Sequence, residues 1–140
     1  MSTGPAAAAI ILAARNHLAT LDDVASRSVV DAVDAWAAGE CSASQMADIE
    51  ADWRNEGARQ VAMHNGVGDH LIGVADWTAE RVAESHKVTA RLVAICKACE
   101  ALAYAARLAA NAHTTLAVAT AAMAVVEHVT IAKSHGAAVR

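Results

Sequence analysis

Residues 78–113 read TAERVAESHKVTARLVAICKACEALAYAARLAANAH. Within them Val88, Leu92, Ile95, Cys99, Leu102, Ala106, Ala109 and His113 recur at alternating steps of four and three. That spacing brings side chains back to one edge of a helix, so the stretch predicts a long helix with a continuous apolar seam. Lys87, Arg91, Lys97, Glu100 and Arg107 fall off the seam. Asp76 or Thr78 suits the N-cap, and Glu80 and Glu84 follow early, where the helix dipole favours acids.

The same signals extend in both directions. Pro5 suits the first turn of a helix that carries Ile10, Ile11, Leu12 and Leu18 to about Thr20. A second helix is expected from a cap at Ser28, with Val29, Val33 and Trp36 on one face and Gly39 as its stop. Ser42 or Ser44 caps a third, with Met46, Ile49, Trp53 and Gln60/Val61 on one side and Asp48, Asp52, Asn55 and Arg59 on the other. Glu50 and Arg54 stand at the favourable i,i+4 spacing. Asn65-Gly66 is expected to end this helix, and Gly66 to Gly73, with three glycines, to form a loop. Thr114 or Thr115 starts a fifth helix that runs through Leu116, Val118, Met123, Val125, Val126 and Val129 to about Ser134. The alternative is a single rod made of the fourth and fifth. Its apolar residues lie all round, which predicts a central helix or a subunit interface.

The expectation is therefore an all-α bundle of four or five helices in one domain spanning 1–140, with long alanine-rich C-terminal helices. Composition supports it. Of 140 residues 38 are alanine, and aromatics are 3%, with three Trp, one Tyr and no Phe. Alanine is the best helix former and is depleted in strands. Small side chains also let helices approach at the near end of the roughly 8–10 Å axis range, so cohesion comes from many long contacts.

The net charge of −4 argues against a nucleic-acid partner, which needs clustered Lys and Arg. Residues 22–56 hold nine acids and two bases, either a solvated helix face or a surface for a basic partner. Three cysteines, with no basic segment ahead of the first apolar run, read as a reduced cytoplasmic chain. The charge-free stretch Leu108–Val126 approaches membrane-spanning length. Its alanines, with Asn111, His113, Thr114, Thr115 and Thr120, favour a buried helix over a membrane span.

Seven histidines are present, but neither Glu-x-x-His nor His-x-x-x-His occurs, so no metal and no cofactor is expected. His64 and His70 flank the glycine stretch and meet only if the tertiary fold brings them together. Cys96-Lys97-Ala98-Cys99 is a CxxC in mid-helix, where both thiols read as small core residues. With Glu84 twelve residues earlier, it resembles the all-helical alkylhydroperoxidase and carboxymuconolactone-decarboxylase group. That resemblance implies a thiol redox centre of Glu84, Cys96 and Cys99, with Ala98 and Ala103 where the group carries histidines.

A second resemblance rests on Trp36-Ala37-Ala38-Gly39-Glu40 and Ala101-Leu102-Ala103-Tyr104-Ala105-Ala106. These segments are similar to alanine-rich helical proteins of actinobacteria and their phages, some labelled immunity proteins. It implies a small cytoplasmic protein that neutralises a toxin by binding it.

Three functions follow as expectations. The first is a non-enzymatic interaction protein that meets a basic protein through Asp48, Asp52, Asn55 and Arg59. The second is a structural subunit of a homo-oligomer or phage assembly, self-associating through Leu116, Ala119, Met123 and Val126. The third is the thiol enzyme.

Overall fold

The computed structural model describes residues 4–71, 78–111 and 113–140, and of residues 67–71 the backbone alone. Five helices follow in order: α1 (Pro5–Ala19), α2 (Val24–Ala37), α3 (Ala43–Leu71), α4 (Ala79–Ala110) and α5 (Thr115–Ser134). No strand element is found among the described residues, so the fold is all-α.

Local chemistry sets the helix starts. Pro5 opens α1. Asp23, Ser42, Thr78 and Thr114 each accept a hydrogen bond from the backbone N–H three residues on, at 3.1, 3.1, 3.2 and 3.3 Å. Each satisfies one of the donors a helix start leaves orphaned. At α3 the cap is reciprocal, because Ser42 N–H donates back to Gln45 Oε1 at 2.7 Å. Gly39 follows α2 at φ 78°, a left-handed conformation that glycine adopts without strain.

Several expectations need correction. The second helix is capped by Asp23, not Ser28, which lies exposed inside it. Ser26 Oγ donates to the Asp23 carbonyl at 2.9 Å and locks that earlier turn. The third helix does not stop at Asn65-Gly66 but runs to Leu71. A glycine in a helix costs only about 1 kcal/mol, which a helix already packed along its neighbour absorbs. Residues 72 and 73 of the expected loop, and the alternative cap Asp76, lie outside the described residues. His113 is not on the seam: α4 ends at Ala110, and His113 is exposed beyond it. The fourth and fifth helices are two helices, as the first of the two readings has it, and the alternative of one rod falls.

The central helix is α4, which packs against all four others. Ala94, Ile95, Ala98, Cys99, Leu102, Ala103, Ala105, Ala106 and Ala109 are all buried along it. Of the two readings of the last helix, central helix or subunit interface, the first does not hold, because α4 takes the centre. One face of α5 (Val118, Ala121, Ala122, Val125, Val129, Ala132) packs into the bundle, while Leu116 and Met123 are 77% and 71% exposed. Alanine explains the placement. A central position surrounded by close helices must be narrow, so the buried face of α4 is built largely from alanine rather than from large apolar side chains. Among the described residues α5 is also long and apolar enough to cross a membrane by length and composition.

A C-terminal clasp closes the bundle. Asp22 N–H donates to Ala138 O at 2.8 Å, and Arg140 N–H donates to Thr20 O at 2.9 Å. Together they tie the tail to the α1–α2 turn.

Candidate functional site

The pairs between α3 and α4 run in opposite directions along the two helices. Glu50 meets Arg107, Arg54 meets Glu100, Gly57 faces Cys96, and His64 meets Thr89. That is the register of an antiparallel helix pair, and it places a group of charges at the end where α3 begins and α4 finishes.

Glu50 is the centre of that group. It is only 4% exposed, although it is a carboxylate. Arg107 Nε donates to its Oε1 at 2.6 Å and Nη2 approaches Oε2 at 3.5 Å, while Arg54 donates to Oε2 from one turn along α3. A buried charge survives only with such partners. The bonds to Glu50 raise the Arg107 pKa above its ordinary value. Arg54 also reaches Glu100 at 3.3 Å, and the Arg107 guanidinium lies 5.0 Å from the Tyr104 ring centroid, within cation–π range.

These residues border a cleft of about 510 Å³ between α3, α4 and α5, whose lining also includes Lys97 and His128. Burial, reinforced by Lys97, lowers the His128 pKa. Both Glu50 oxygens already accept hydrogen bonds from arginines, so this carboxylate is a structural anchor rather than a free base. The groups that face solvent at the rim are Arg54, Lys97 and Tyr104.

The four α3 residues singled out in the sequence, Asp48, Asp52, Asn55 and Arg59, lie together as one exposed stripe on the side away from Glu50. Asp48 and Asp52 form no ion pair or hydrogen bond among the described residues, whereas Glu56 holds Arg59 at 2.9 Å. On α5, exposed Leu116 and Met123 adjoin half-buried Ala119 and Val126.

The thiol group is not assembled. Cys96 and Cys99 are 5% and 0% exposed. Burial raises both thiol pKa values, that of Cys96 to about 11. Glu84 is exposed and roughly 18 Å of helical rise away. A nucleophilic thiol needs the opposite setting, a lowered pKa and access to solvent.

Two groupings escaped the sequence reading: the Glu50–Arg107–Tyr104 cluster, and a contact between His64, His86 and Thr89. For the first a signal was present. It was the Glu50–Arg54 pair at i,i+4, which holds half of the cluster but not its partner on α4. For the second there was only the number of histidines.

No known family, curated protein or solved structure matches this chain.

Proposed function

We propose that the chain is a non-enzymatic interaction protein of the immunity-inhibitor kind, which binds a basic protein through the outer face of α3. The observation that supports this reading is the state of its acids. Asp22, Asp34, Glu50 and Glu56 are each neutralised by an arginine, and Asp23 caps α2. Asp48 and Asp52, one turn apart on one face and exposed, are among the acids without an ion pair or hydrogen bond among the described residues. Exposed unpaired charge of one sign steers a partner of the opposite sign and raises the association rate. A toxin that acts on nucleic acid is such a partner, because it must carry Lys and Arg for phosphates. A reduced cytoplasmic setting suits a chain with three free cysteines.

The test is association kinetics against a panel of cationic nuclease toxin domains at low salt. For a domain that binds, Asp48→Lys with Asp52→Lys should slow association at least tenfold, and Glu127→Lys on α5 should leave it unchanged. Equal rates for the wild type and the α3 double variant would end the proposal.

The exposed pair Leu116 and Met123 favours a second reading, self-association into a structural assembly through α5. Light scattering at high concentration should then show a dimer or larger species that Met123→Glu converts to monomer. A wild-type monomer at every concentration removes this reading and leaves the first intact.

A further inference from the structure

The His64 ring of α3 and the His86 ring of α4 face each other with centroids 5.0 Å apart and planes inclined at 52°. Two imidazoles bound to one ion through nitrogen at about 2.0–2.1 Å hold their ring centres roughly 4.5–5.3 Å apart at tetrahedral or octahedral angles. The observed separation falls inside that interval.

Thr89 then decides which nitrogen of His64 is available. Its Oγ1 is 2.7 Å from His64 Nδ1, 3.0 Å from the Ser85 carbonyl and 3.1 Å from the His86 carbonyl. A hydroxyl has one proton, and carbonyls only accept. Back-bonding to a carbonyl of the preceding turn is the ordinary use of a mid-helix threonine proton, and we infer it here, so that toward His64 the oxygen offers a lone pair and Nδ1 donates. In that arrangement the neutral ring carries its proton on Nδ1 and presents an unprotonated Nε2. This is how a second-shell partner orients a metal-binding histidine, fixing the tautomer and the ring plane. Thr89 is 7% exposed and so well held, whereas both rings are only half-buried and reachable from solvent.

We propose that His64 and His86 bind a divalent transition-metal ion, of the Zn²⁺, Ni²⁺ or Cu²⁺ class, with Thr89 as the positioning residue. No group of three His, Cys, Asp or Glu ligands occurs among the described residues, so among them the two imidazoles are the protein ligands and water fills the other positions. Because the ligands come from different helices, the ion clamps α3 to α4.

The experiment is a Zn²⁺ titration of the full-length chain at pH 7.5, followed by the imidazole nitrogen and carbon-bound proton resonances. Before metal is added, His64 should show the Nδ1–H form. Up to one equivalent of Zn²⁺ should then shift the His64 and His86 rings together. His64→Ala and His86→Ala should each weaken binding at least tenfold. Thr89→Val should weaken it about 10- to 100-fold with the helical circular dichroism retained, and Thr89→Ser should restore it. Rings that stay unmoved, or a His86→Ala chain that binds as tightly as wild type through its other histidines, would overturn the site. Should Thr89→Val not fold, full binding strength in Thr89→Ser with the Nδ1–H form kept supports the positioning role. Loss of that form in Thr89→Ser refutes it.

Discussion

The two sides of α4 cohere by different physics. Toward α3, whose Met46 is also in the apolar core, the contacts include a row of polar, directional ones: Glu50 with Arg107, Arg54 with Glu100, His64 with Thr89. Leu102, about 140° round the helix from Arg107, belongs to the apolar side, where Ala98, Ala105 and Ala109 are also buried. The apolar side gains stability in proportion to the surface it removes from water and tolerates small slides. The polar side gains less net free energy, because each ion sheds water first, but each bond has a unique partner. The alanine seam thus holds the helices together, and the polar ladder sets their register.

That contrast is open to direct attack. The largest effect belongs to Leu102→Ala. Leu102 is fully buried, and the deletion leaves a cavity where backbones already approach closely. Urea denaturation should show a loss of about 3–4 kcal/mol. Glu50→Ala comes next, at about 2–3 kcal/mol, since it strands Arg107 and leaves Arg54 with Glu100 alone, the two arginine side chains being 28% and 57% exposed and able to regain some water. The double replacement Glu50→Leu with Arg107→Met should cost less than the two single changes added together, because Arg107 no longer needs a partner and Arg54 keeps Glu100. A fully additive double would show that the polar ladder is not a coupled unit.

Gly57→Ala is expected to stabilise. The new Cβ would meet Cys96 Cβ at 3.6 Å, an ordinary contact, and the helix gains about 0.5–1 kcal/mol from losing a glycine. A loss of stability instead would mean that the two helices are closer than that gap.

The smallest effect is that of His128. Burial lowers its folded pKa below the ordinary 6.5, so the unfolded chain takes up a proton first as pH falls. Its contribution is complete above pH 6.5 and is lost as pH drops through the lowered folded value. His128→Asn should flatten the pH dependence of the denaturation midpoint in that acid range and leave the midpoint at pH 8 nearly unchanged.

The order of helices and the stop at Gly39 were legible in the sequence, and the caps Ser42, Thr78 and Thr114 as one of two neighbouring candidates each, because each depends on residues within a turn of one another. Ser28 misled because Asp23 offered a better acceptor one turn earlier. Gly66 misled because packing outweighs one glycine. The outer face of α3 could be read as well, since a stripe of Asp48, Asp52, Asn55 and Arg59 needs only helical periodicity to exist.

What no local pattern contains is a pairing across 57 residues, such as Glu50 with Arg107, or across 25, such as His64 with Thr89. In the chain Glu50 is one member of an i,i+4 pair; in the fold it is a buried anchor with two arginines. Periodicity names the face a residue occupies, and composition names the kind of helix. Which helix lies at the centre, and which charges meet there, depends on how rods of different width stack, and stacking is a property of the assembled bundle.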